Sequence, residues 1–163
     1  MLILFLSFSV ALLDQVTKHL IRQNLLTGHV TVIPGFFDLS YVQNTGAAWG
    51  IMQGLNSWLV ILSLIMLAML IIFRRSILQD TIVHRIATGL MIGGIIGNLV
   101  DRLRLGYVVD FLHFFWRDHH FPSFNVADSA ICVGVALYII TQLFEARGSA
   151  ASEHTAGQAE NGS

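Results

Sequence analysis

Apolar residues gather in four long runs, at 1–13, 55–73, 86–100 and 126–144, separated by polar and turn-forming stretches. A hydrocarbon core about 30 Å thick takes roughly 20 helical residues at 1.5 Å each, so every run is a near-complete membrane crossing. The run at 1–13 is uncharged and too short alone, so its helix must carry Asp14 and Lys18 to the membrane edge. A cleaved signal peptide is the other reading of that segment, but it lacks a basic lead and is followed by Asp14 rather than small residues. Between the first two runs, 29–33 and 36–42 flank Pro34-Gly35 and are rich in β-branched and aromatic residues. That pattern predicts a small external hairpin or platform. The expected architecture is therefore all-α and integral to the membrane, with four transmembrane helices and a small β-platform between helices one and two.

Composition narrows the picture. Of 163 residues, 55% are hydrophobic and 12% charged, with a mean hydropathy of +0.69. A soluble domain carries about twice that charged share. Nine Lys and Arg against ten Asp and Glu leave no basic field for a nucleic-acid backbone, so nucleic-acid binding is excluded. The single cysteine, Cys132, rules out an internal disulfide framework. No internal repeat is evident, and a single domain over 1–147 is expected. From 148 to 163 the chain is small and polar, which predicts a disordered tail.

Four crossings put both termini on one side. The link between the second and third runs holds Arg74, Arg75 and Arg85, and the positive-inside rule makes that link, and with it both termini, cytoplasmic. Asp14 then lies where helix one exits, Asn98, Asp101 and Arg102 where helix three exits, and Asn125 and Asp128 where helix four enters. All six converge on the outer face. Intramembrane charges cost about 2.5–3.5 kcal/mol each on insertion scales, so such a gathering needs pairing, water access or a function.

Helix three also repeats Gly89, Gly93 and Gly97 at spacing four, a small-residue stripe that lets another helix approach closely and that continues into Asp101. Asp14 and Lys18 stand at i and i+4, the spacing of an ion pair, and Asp101 and Arg102 can form local charge contacts. Structural duty suits these four. Asp110 and Asp128 differ, because no lysine or arginine lies at i±3 or i±4 of either. Two such carboxylates at one level suggest a dyad in which one keeps a proton while the other acts as a base, the chemistry of aspartic peptidases. Such chemistry needs no metal and no cofactor. The alternative is that Asp128 caps helix four and Asp110 is a solvated loop carboxylate.

The motifs extend over most of the chain. Asp14-Gln15-Val16-Thr17-Lys18, Asn44-Thr45-Gly46-Ala47-Ala48-Trp49-Gly50, Gly97-Asn98-Leu99-Val100-Asp101-Arg102, Val108-Val109-Asp110-Phe111 and Phe124-Asn125-Val126-Ala127-Asp128-Ser129 form five blocks in order. In these the chain resembles the bacterial lipoprotein signal peptidases, the type II signal peptidases. The resemblance implies a multi-pass enzyme of the bacterial inner membrane, with Asp110 and Asp128 as the catalytic pair near the periplasmic face. It also implies a prolipoprotein substrate whose cysteine carries a diacylglyceryl group, cut just before that cysteine. Asp14, Lys18, Asn44, Gly46, Trp49, Asn98, Asp101, Arg102 and Asn125 match positions that bind substrate or shape the site. The expected partners are lipidated signal peptides and membrane lipids, with no obligate protein partner. The loop 28–55 is expected to lie over the site, with Trp49 as a clamp. The chain departs from the pattern in opening directly on its apolar run and in its polar tail.

His113, His119 and His120 lie near Asp110 and Asp118 but without a zinc-peptidase spacing. A Ser–Lys hydrolase would pair Lys18 with Ser129 or Ser40, yet Asp14 would keep that lysine charged. A proton or ion pathway, or a non-catalytic scaffold packed through its glycines, is the reading from another class. A pathway needs polar residues in both leaflets, and only Ser63 and Thr88 stand in the inner halves of helices two and three. Phe114, Phe115, Trp116 and Phe121 read as an interfacial belt, joined at the interface by Trp58.

Overall fold

The computed structural model describes residues 1–47, 51–72 and 81–160, with side chains to residue 144. Trp49, Arg74 and Arg75 lie outside the described residues. In chain order the elements are α1 (Leu2–Asn24), β1 (His29–Ile33), β2 (Phe37–Asn44), α2 (Asn56–Ile72), α3 (Ile82–Leu105), β3 (Val108–Trp116), β4 (His119–His120) and α4 (Val126–Glu160).

Helix α3 is the centre of the bundle, packed against α1 on one side and α4 on the other. Its glycines make this possible. A Cβ on Gly93 would meet the Ser7 carbonyl oxygen at 2.7 Å, and one on Gly89 would meet Leu6 Cβ at 2.8 Å, so α1 lies directly on the stripe. Gly94, one residue round the helix, faces the Ala127 carbonyl and Ile131 of α4, and Gly134 of α4 faces the Ala87 carbonyl of α3. Backbones this close exclude lipid and gain dispersion contacts along both seams. The outward faces stay apolar and exposed, as with Phe5, Phe8 and Leu12 on α1 and Val133 and Ile140 on α4.

Among the described residues three helical stretches, α1, α3 and the Val126–Phe144 part of α4, are long and apolar enough to cross a membrane. The fourth expected crossing is represented by α2, a shorter apolar helix of 17 residues.

The chain is not all-α, and here the sequence expectation needs correcting. Strands β1 and β2 form the expected hairpin, but β2 also pairs antiparallel with β3, and β3 with β4, giving one antiparallel sheet in the order β1-β2-β3-β4. Phe114, Phe115 and Trp116, expected in an interfacial belt, belong instead to strand β3, a segment without regular polar alternation. It lacks alternation because both faces are covered: Val109 and Phe111 pack with Ile21 in a small core under the sheet, while Phe114 stacks on Phe37 and Phe124 on the other side. Trp116 and Phe121 remain exposed, and so does Trp58 on α2.

A second difference is at the C-terminus. The last helix continues to Glu160, through 148–160, where no order was expected. That stretch contains no proline and four alanines, so the backbone ladder already begun can continue although Gly148 and Gly157 each weaken it by about 1 kcal/mol.

Candidate active site

The sheet and the helix ends meet at one place. The register sets Asn44 opposite Val108 and Val42 opposite Asp110, so Asn44 sits diagonally beside Asp110. Its Nδ2 donates to Asp110 Oδ2 at 2.9 Å. Asp110 is only 2% exposed, so the solvated-loop alternative does not hold. From the other side Asn125, completely buried just before α4, donates through Nδ2 to Asp110 Oδ1 at 2.7 Å.

Asp128 does cap α4, so that part of the bland alternative is present. The Asp128 N–H donates to Asn125 Oδ1 at 2.9 Å, and the Asn125 N–H donates to Asp128 Oδ2 at 3.3 Å, a reciprocal capping arrangement. Capping leaves Oδ1 of Asp128 over, and Asn98 Nδ2 of α3 donates to it at 2.7 Å. Asn125 thus touches Asp110 with its side-chain amide and Asp128 with both its side-chain oxygen and its backbone N–H.

The orientation of each amide follows from its other neighbour. Asn44 Oδ1 accepts the Gly46 N–H at 2.9 Å, Asn125 Oδ1 accepts the Asp128 N–H, and Asn98 Oδ1 accepts from Lys18 Nζ at 2.9 Å. With each oxygen occupied, each NH2 must face a carboxylate. Three asparagines therefore aim donors at the two aspartates.

Burial, reinforced by the negative charge of Asp128, pushes the Asp110 carboxyl up to about 7, while the bonds from Asn44 and Asn125 pull the other way. A carboxyl so balanced gains or loses its proton near neutrality, as a general acid or base requires. The sign for stability follows. Between its ordinary value of 3.8 and about 7 the folded chain holds a proton that the unfolded chain releases, so this group weakens folding as pH rises through that window.

Beneath the carboxylates lies a buried ion cluster. Lys18 Nζ bridges Asp14 Oδ2 at 2.8 Å and Asp101 Oδ2 at 3.0 Å, with Lys18 2% and Asp14 0% exposed. The expected Asp14–Lys18 pair is present. Asp101 differs from expectation: it pairs with Lys18 across the helix seam, and its Oδ2 also accepts the Val109 N–H at 3.0 Å. Arg102 turns the other way and donates to the Gly46 carbonyl at 3.3 Å, tying the loop after β2 to α3. Lys18 gives its three N–H groups to three acceptors, and Ser129 Oγ donates to the Asn125 carbonyl, so neither group is free for Ser–Lys chemistry. Removing one partner of such a buried cluster costs about 3–5 kcal/mol.

Gln15 was not singled out from the sequence. Its Nε2 donates to Asp101 Oδ1 at 2.9 Å and to the Gly97 carbonyl at 3.1 Å. The available signal was a glutamine inside an apolar span, which has to find a partner there. His113 and His120 hydrogen-bond and stack on each other farther along the sheet, and strand alternation puts His113 on the face opposite Asp110. Among the described residues no three His, Cys, Asp or Glu come together as a metal-holding group.

Asp110 and Asp128 open into a cleft of about 890 Å³. Asn44, Asn98 and Arg102 line its polar end, and Phe121, Phe124, Ile131 and Cys132 its apolar walls. A cleft of this kind suits an extended, partly lipophilic ligand with a polar bond at one end.

A family model described as signal peptidase (SPase) II matches residues 6–144, which includes every residue of the cleft and the ion cluster. The chain belongs to the signal peptidase II family. It is thus a peptidase, and a membrane-embedded multi-pass one. Among its relatives, the lipoprotein signal peptidase of Symbiobacterium thermophilum is 41% identical over 152 residues, covering 92% of this chain and all of that protein. That of Syntrophotalea carbinolica is 43% identical over 145 residues, 86% of this chain and 90% of its own. A bacterial membrane enzyme solved by the in meso method superposes with a TM-score of 0.80 at 34% identity, covering 88% of each chain.

Proposed function

We propose that this signal peptidase II cleaves diacylglyceryl-modified prolipoproteins just before the lipidated cysteine, with Asp110 and Asp128 sharing one proton around an attacking water. The observation that carries this reading is the pair itself. Two carboxylates from separate elements open into one cleft, each fixed by amide donors, and one titrates near neutrality. The ionised member takes a proton from water as its oxygen attacks the scissile carbonyl carbon. The protonated member hydrogen-bonds the carbonyl oxygen, and a proton then passes to the leaving amine as the C–N bond breaks. Arg102, which lines the cleft and holds the Gly46 carbonyl, orients the substrate backbone, and Trp49 acts as the clamp.

The membrane placement belongs to the same reading. The chain crosses the bacterial inner membrane four times, α2 making the fourth crossing, with both termini cytoplasmic and the sheet at the periplasmic surface. Support comes from the charged residues of α1, α3 and α4, which gather at the same end of the bundle as the sheet. Acyl chains then stay in lipid while the scissile bond reaches the polar end of the cleft. No obligate protein partner is required, and 1–147 acts as one catalytic domain.

Purified protein in detergent, given a lipidated and an unlipidated precursor, is expected to release the leader from the lipidated form alone. Equal cutting of both would remove the lipid from the recognition scheme, and cutting of neither would remove the function. With the lipidated precursor, kcat/KM should fall as pH rises through an apparent value near 7, approaching about tenfold per unit. The direction follows from loss of the single shared proton. A flat profile to pH 9 would contradict proton sharing at Asp110.

A further inference from the structure

We infer that Lys18 is a positioning residue that sets both the separation and the proton sharing of Asp110 and Asp128. The inference rests on the dyad reading above and deepens it. An ammonium offers three donors and no acceptor, and here all three are engaged, by Asp14, Asp101 and Asn98.

Each of these partners ends beside a carboxylate of the pair. Asp14 Oδ1 accepts the N–H of Ala127 at 2.9 Å, one residue before Asp128. Asp101 Oδ2 accepts the N–H of Val109, one residue before Asp110. Asn98 carries the third arm directly to Asp128 Oδ1. One buried cation on α1 thereby fixes the start of α4, the start of β3 and a donor between them.

Removing the cation has defined consequences. Asp14 and Asp101 face each other without a counter-charge, which loosens both backbone tethers. Asn98 loses the shorter of the two bonds to its oxygen and keeps only that from Asn125 Nδ2 at 3.2 Å, so the amide that donates to Asp128 is held less firmly. The charged groups acting on Asp110 are Asp128 of α4, Lys18 of α1 and Arg102 of α3. The lysine opposes proton retention at Asp110, so its loss raises the pH at which that proton leaves.

Lys18→Met, purified from membranes and assayed with the lipidated precursor, is expected to lower kcat about 10–100-fold with KM changed by less than about twofold. The alkaline limb of its rate should move to higher pH. A lysine that merely holds the fold together would reduce the amount of active enzyme while leaving the pH limb in place. Lys18→Met with wild-type kcat and an unmoved limb overturns the inference. Should that variant fail to accumulate, Lys18→Arg keeps the charge but replaces a point donor with a planar fork; a lowered kcat supports the positioning role and a wild-type kcat overturns it. Wild-type protein that leaves the lipidated precursor uncut overturns the proposed function itself, whereas active wild type with an equally active Lys18 variant overturns only this inference.

Discussion

Asp110→Asn and Asp128→Asn should each reduce turnover of the lipidated precursor by about 10⁴-fold or more while the protein remains inserted and able to bind substrate. Neither amide can hold the charge or move the proton that the water attack needs. Asp110→Asn carries an added strain: both of its oxygens receive N–H donors, from Asn44 and Asn125, and neither donor can turn away because the Gly46 and Asp128 N–H groups hold their oxygens. One carboxamide NH2 then faces another, at a cost of about 1–3 kcal/mol. Binding is read with a non-cleavable lipidated peptide and folding by thermal unfolding in detergent. Measurable turnover in either variant, above the contamination seen with the double variant, would dismiss the paired-carboxylate mechanism.

Gly94→Ala is expected to have a large effect without altering any charged or polar group of the site. Its new methyl group would collide with the Ala127 carbonyl and lie 2.7 Å from Ile131 Cγ1, on the turn of α4 that carries Asp128. Overpacking of this kind costs about 1–3 kcal/mol, and a displacement near 1 Å at a reacting group lowers rate about 100-fold. Stability and kcat should therefore fall together. Gly28→Ala is the matched control, since nothing lies within 4 Å of a Cβ there. Wild-type kcat in Gly94→Ala would mean that α4 is not held in register by this contact.

Much of this arrangement could be read along the chain, because its signals are local. The Asp14–Lys18 spacing gave an ion pair on one helix face, and Gly89, Gly93 and Gly97 formed a stripe at constant interval; both are present as contacts. What escaped was long-range. The pairing of β2 with β3 joins residues some 66 positions apart, as in Asn44 with Asp110, and leaves no mark in either segment alone. Asp101 was assigned to its neighbour Arg102 for the same reason, whereas its partner Lys18 sits on another helix. Helix count was limited by length: α2 carries the expected apolar composition but has 17 residues. The C-terminal stretch was judged on its inability to bury anything, a criterion that says little about whether a helix already under way will stop.

The i,i+4 pairing of Asp14 with Lys18 also bears on biogenesis. Helix α1 is synthesised first, and its cation is cancelled within a single turn, so it carries its own counter-charge before any other helix exists. Asp101 comes later, on α3, and finds that same ammonium waiting with donors to spare. A polypeptide truncated before α3 would keep this pair yet leave bare the α1 surface that Gly89 and Gly93 otherwise cover.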